Sequence, residues 1–262
     1  ESLEASNKGK AALVNEINLM RKVDSDYVAK LEAVYETQNS VYLVLEFLKG
    51  GPIFNSRTCQ IEPLHAKFII YQILKGVRDL RKRNIVHRDI KPDNIVLLHK
   101  DSDIFNNKLK IVDLGLGAIS HPSTNLIHRK CGTPGFIAPE VINMDSEATA
   151  ESSSNSDIFS AGVIFYFLIT KKMPFDGEDV YEVLTKNKLG KIDFLLPELS
   201  KISESCRSLL LGMLELDPGS RITPEVALEH EYFADFSKYK TLVSLGELQT
   251  SLDPESDCEV MD

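Results

Sequence analysis

The densest run of chemistry-bearing side chains is His87-Arg88-Asp89-Ile90-Lys91-Pro92-Asp93-Asn94. Beyond a polar stretch comes Asp113-Leu114-Gly115, and later Ala138-Pro139-Glu140. Carboxylates, an amide and cations at these intervals suit two tasks. One is taking a proton from a hydroxyl; the other is holding a hard cation through oxygen ligands beside an anionic group. Each residue alone has a plainer reading: Asp89 and Asn94 as turn formers, Asp113 as the cap of a strand end.

In this order and context the three blocks resemble the signature set of the eukaryotic protein kinases: catalytic loop, metal-binding loop and end of the activation segment. The resemblance covers residues 11 to 233. It implies an α+β fold, the two-lobed protein-kinase fold, here with a truncated N-lobe and a mainly α-helical C-lobe. It also implies transfer of the ATP γ-phosphate to serine or threonine hydroxyls of proteins, with Mg²⁺. Phosphoryl transfer asks mainly for alignment and charge neutralisation. On this reading Asp89 receives the proton of the acceptor hydroxyl, and Lys91 meets the γ-phosphate as a point charge. Asn94 and Asp113 hold Mg²⁺. Lys91 is the lysine of serine/threonine kinases rather than tyrosine kinases.

The same resemblance makes Glu46 to Leu48 the hinge, with Glu46 and Leu48 bonding adenine through their backbone and Val96 as the floor beneath it. Glu16 matches the helix glutamate that pairs with an ATP-anchoring lysine, although by itself it also reads as a solvated helix acid. Met20, Leu31, Leu114 and His87 match a stack joining the lobes, which gives His87 a packing role and no catalytic one. Thr133 matches a threonine bonded to Asp89 and Lys91. Glu140 and Arg221 match a buried ion pair. Phe47-Leu48-Lys49-Gly50-Gly51 and Cys131-Gly132-Thr133-Pro134-Gly135-Phe136 look closest to the calcium/calmodulin-dependent kinase group.

Two parts of the pattern are missing. No glycine-rich phosphate loop precedes Glu16, and no strand lysine stands where ATP would be anchored. Lys8 and Lys10 substitute poorly, since Lys8 would lie about 12 Å from Glu16 along a helix axis. Two readings follow. Either the first strands lie outside this stretch, which alone is then inactive, or the chain is a catalytically inactive kinase-like interaction module or scaffold. The intact set Asp89, Lys91, Asn94 and Asp113 favours the enzyme.

Selectivity and regulation give softer expectations. Pro52 stands where related kinases carry a glutamate that reads an upstream arginine; with only Asp93 nearby, that preference should be weak. Leu116 goes with serine over threonine. Arg88 resembles an arginine neutralised by activation-loop phosphate. Between Leu116 and Cys131 there is no acid, so phosphate on Ser123 or Thr124 would supply the charge. The sequence names no regulatory partner.

These residues need a scaffold, and the pattern outlines one. Leu13, Ile17 and Met20 mark a helical face over residues 10 to 23. Two β-like runs follow, 31–37 and 41–47, and Gly50-Gly51-Pro52 marks a boundary. A long helix is expected from Pro63 to Arg83, then short strands at 95–98 and 109–112, then a loop from Gly115 to Gly132. The run 158–169 reads as a central helix, apolar on every face, with Asp157 placed to cap it. Ser152 to Ser156 reads as a polar surface insert, and Thr223-Pro224 as the start of another helix. The expected division is 1–48 as partial N-lobe, 49–233 as C-lobe and 234–262 as an acidic tail whose last ten residues hold five acids.

Composition closes off other classes. A net charge of -9 gives no basic field for nucleic acid. The four cysteines form no CxxC pair and the six histidines show no metal spacing. Without a signal peptide or a long apolar run, no membrane insertion is expected, and an intracellular, cytoplasmic chain is the reading.

Overall fold

The computed structural model describes residues 2–53, 61–100, 104–120, 131–143, 155–236, 238 and 241. The first helix, α1 (Ser2–Lys22), starts earlier than its apolar spacing suggested. Ile17, Leu19 and Met20 form its buried side. An antiparallel pair follows, β1 (Leu31–Glu36) with β2 (Val41–Leu45), in the register Leu31 to Leu45 and Glu36 to Val41. Their turn closes where the Thr37 amide donates to Ser40 O at 2.8 Å. Large side chains stay in water on this ribbon, with Tyr35 61% and Phe47 78% exposed. Two strands alone bury too little to stand independently.

The next strands make a second sheet: β3 (Gly51–Pro52), β5 (Ile95–Leu97) and β6 (Leu109–Ile111), antiparallel in the order β3-β5-β6. Pro52 lies on the edge strand, where its missing N–H costs no ladder bond. Between β3 and β5, β4 (Ile85–Val86) pairs with β7 (Ala118–Ile119). The stretch expected to be an uninterrupted loop from Gly115 to Gly132 therefore contains a short strand. Its two residues are too few to show a period, and pairing with β4 across the chain creates it.

The larger lobe is helical: α2 (Pro63–Arg81), α3 (Pro139–Ile142), α4 (Ser156–Thr170), α5 (Val180–Leu189), α6 (Glu204–Met213) and α7 (Pro224–Leu228). Helix α4 is the centre, with Ile158, Phe159, Ile164 and Phe165 wholly buried. Two expectations need correction here. The N-cap residue of α4 is Asn155, and Asp157 lies inside the first turn, where its carboxylate serves another loop. Asn155 and Ser156 are buried, not part of a surface insert. Helices α5 and α6, which the sequence reading did not place, start at side-chain caps, Asp179 and Ser203. Thr223 caps α7 as expected, accepting from Val226 N. Past Phe233, Phe236 is still buried and stacks on Tyr71 at 4.0 Å. Among the described residues no helix is long and apolar enough to cross a membrane.

Candidate active site

The turn Pro92–Asn94 folds the 87–94 loop back on Asp89. Asn94 Nδ2 donates to Asp89 O at 2.9 Å and to Asp89 Oδ2 at 3.3 Å. Lys91 Nζ stands 2.9 Å from Asp89 Oδ2. The Thr133 hydroxyl closes a triangle, donating to Asp89 Oδ1 at 2.6 Å and accepting from Lys91 Nζ at 3.0 Å. Burial pushes the Asp89 carboxyl upward, but the Thr133 and Lys91 bonds pull harder, so it sits below its ordinary value. The result is a buried aspartate held as carboxylate.

The loop's backbone is held from two sides. Asp157, buried on α4, accepts the His87 amide at Oδ2 (2.7 Å) and the Arg88 amide at Oδ1 (2.9 Å). His87 itself is fully buried. Its Nδ1 accepts the Asp89 amide at 3.3 Å, so Nε2, 2.9 Å from Val112 O, is the nitrogen that donates. His87 thereby ties the loop to the residue before Asp113. Val112 N donates in turn to Asn94 O at 3.0 Å. Arg88 and Asp113 both have positive φ, 71° and 68°, a conformation that non-glycine residues keep only where the surroundings enforce it.

Asp113 is exposed at the end of β6, and its Oδ1 accepts the Gly115 amide at 2.9 Å. A Cβ built on Gly115 would lie 2.9 Å from that oxygen and 3.8 Å from Glu16 Oε2, so the two carboxylates flank one glycine. Burial, then the Asp113 charge, push the Glu16 carboxyl upward. Among the described residues Glu16 has no ion pair. Asn15, beside it, donates from Nδ2 to Gly117 O at 2.9 Å and docks α1 on the turn after Asp113. Met20 and Leu114 are buried in one apolar cluster, with Leu31 packed against it.

The expected hinge residues lie at the end of β2. The Glu46 amide donates to Lys30 O at 2.9 Å. Its carboxylate meets Lys110 Nζ at 2.8 Å, and that lysine is almost wholly buried. Lys110 was not singled out in the sequence, and only its buried place on β6 reveals the pair. Leu48 is half-buried beyond Glu46; Val96 is half-buried on β5, opposite Pro52 and Lys110. The site residues therefore fall in two groups: Asp89, Lys91 and Asn94 in direct contact with Asp113 alongside, and Glu46, Leu48 and Val96 near the ribbon and second sheet.

Below the loop, Arg221 grips Glu140 with two bonds of 2.6 and 2.8 Å, as the resemblance implied. It also donates to Asn155 O at 3.0 Å and Glu215 O at 2.7 Å. Sequence reasoning missed Asn155, whose Oδ1 accepts from Arg81 at 2.6 Å and whose Nδ2 donates to Pro218 O at 2.8 Å. Ser123 and Thr124 lie outside the described residues.

Comparison with known proteins shows the family. The chain matches the family described as "Protein kinase domain" over residues 1–233. It is 34% identical over 220 residues to calcium-dependent protein kinase 3 of Plasmodium berghei (strain Anka), covering 83% of this chain and 38% of that protein. To calcium-dependent protein kinase 4 of Plasmodium falciparum (isolate 3D7) it is 36% identical over 226 residues, 85% of this chain and 41% of the relative. To the probable serine/threonine-protein kinase 2 of Plasmodium falciparum (isolate K1 / Thailand) it is 34% identical over 237 residues, 89% and 44%. The chain thus spans less than half the length of these relatives.

Proposed function

Since the chain belongs to the protein kinase family, we propose that it is an intracellular, cytoplasmic enzyme that transfers the γ-phosphate of ATP to serine or threonine hydroxyls of proteins. The observation that carries this reading is the clasp around Asp89: Lys91, Thr133 and Asn94 all bond its carboxylate, and Asp113 lies alongside. Asp89 stays unprotonated and accepts the proton of the acceptor hydroxyl, aligning its oxygen. Lys91, already beside Asp89, brings a positive charge to the γ-phosphate.

The residues fit Mg²⁺. Asn94 spends its Nδ2 on Asp89, which leaves Oδ1 as a hard ligand. Asp113 adds an exposed carboxylate, and oxygen donors of this kind suit Mg²⁺. Bound there, the ion neutralises phosphate charge. Asn94 and Asp113 would hold it, while the Glu46 and Leu48 backbone would pair with adenine over Val96.

The test is Mg²⁺- and ATP-dependent phosphorylation of serine and threonine peptides by the full-length protein, read by mass spectrometry. Asp89→Asn and Asp113→Asn should each abolish it. Unchanged turnover in either variant would sink the assignment.

A further inference from the structure

Asn187 lies in the last turn of α5, whose other residues are half-buried or exposed, and it is the helix residue with no exposure at all. A primary amide kept from water is tolerated only when its polar atoms are bonded. Both ends of Asn187 are used, and both on one loop. Oδ1 accepts the Gly135 amide at 3.0 Å, and Nδ2 donates to Ile137 O at 2.7 Å. The side chain thus bridges two residues of one turn.

That loop begins at the catalytic clasp. Thr133, two residues before Gly135, donates its hydroxyl to Asp89. Its carbonyl accepts the Phe136 amide at 3.1 Å, and Phe136 O accepts from Ser160 Oγ at 2.8 Å. Gly132 and Gly135 have φ of +122° and +88°, so the backbone is bent at both, in a region where side-chain-bearing residues are strained. A Cβ on Gly135 would come within 3.6 Å of Val183 and 3.7 Å of Met173. The segment 133–137 is therefore strung between Asp89 at one end and Asn187 at the other.

We propose that Asn187 is a positioning residue for the polypeptide substrate: it sets the height and direction of the Gly135–Ile137 backbone, against which the chain flanking the acceptor hydroxyl lies. This rests on the kinase reading, because a peptide whose hydroxyl reaches Asp89 must pass the loop that Thr133 begins. Asn187 touches neither substrate nor nucleotide and acts through the loop. An apolar residue of equal size would strand the Gly135 amide and the Ile137 carbonyl, and the loop would sample other positions.

The experiment compares wild type, Asn187→Leu and Asn187→Ser in the full-length protein, by steady-state kinetics on a serine peptide and by hydrogen exchange without nucleotide. KM for the peptide should rise roughly tenfold or more, as expected for stranded buried partners, while KM for ATP stays put. Exchange should quicken at residues 133–137 and remain unchanged at His87 and Arg88. If Asn187→Leu does not fold, Asn187→Ser carries the comparison. Peptide KM equal to wild type, with only a lower melting temperature, would overturn the proposal and leave the kinase reading intact. No phosphate transfer by the wild-type protein would overturn both.

Discussion

Asp157 accepts the backbone amide of His87 at 2.7 Å from seventy residues further along the chain, and its second oxygen takes the amide of Arg88. One carboxylate of the central helix thus holds the two residues that precede Asp89. Arg88 keeps a φ of 71°, which costs about 1–3 kcal/mol for such a residue. The Asp157 bonds bear on that peptide. The catalytic loop is bent by the core, not by its own residues alone.

Asp157→Ala should therefore harm stability and turnover together. Each stranded amide costs about 1–3 kcal/mol, and the loop regains freedom at Arg88. Urea unfolding gives the first effect and peptide phosphorylation the second. Full activity in a destabilised Asp157→Ala protein would show that the loop holds its shape unaided.

Thr133→Val removes the hydroxyl that donates to Asp89 Oδ1. With burial less opposed, the Asp89 carboxyl should rise towards its ordinary value. With Asp89 in its proposed role as an unprotonated base, the acid limb of the pH–rate profile should then move to higher pH. The sign agrees with linkage: a depressed carboxyl contributes stability above its unfolded value and loses it as pH falls through the folded one. Rate above that limb should drop about 100-fold, the low end of what a positioned base contributes. An acid limb that stays in place would contradict the role given to the hydroxyl.

Glu16 behaves in the opposite sense. Its raised carboxyl adds most to stability below its unfolded value, and this contribution is lost as pH rises through the folded one. Glu16→Gln should flatten the pH dependence of melting and leave stability at neutral pH equal or higher. A Gln variant that melts earlier at neutral pH would mean that Glu16 has a stabilising partner.

Glu140→Ala leaves Arg221, whose side chain has no exposure, without its carboxylate. Breaking a buried pair from one side costs about 3–5 kcal/mol. Equilibrium unfolding in urea should show a midpoint shift of that size. A loss under about 1 kcal/mol, the worth of an exposed pair, would mean that water reaches the guanidinium.

The sequence alone determined the parts whose bonds close within a few residues. Asn94 and Lys91 meet Asp89 within five residues, so the run His87 to Asn94 was legible through its resemblance to the kinase signature, although its bend also needs Asp157. The strands at β5 and β6 form a local antiparallel pair, and this carries Asp113 to the same place. Helix α4 was equally plain, because a run apolar on every face has only the core to occupy. Tertiary structure decided the rest. Asp157 looked like a cap because caps are local, yet its partners are seventy residues away. Asn187 stands on the buried side of a short helix, and nothing in its neighbours tells of the Gly135 amide and Ile137 carbonyl it meets. Lys110 and Asn155 escaped notice for the same reason. Hydrogen bonds between distant segments follow no period along the chain, and only the packing of α4 and α5 against the loops, and of β6 beside the end of β2, brings donor and acceptor within reach.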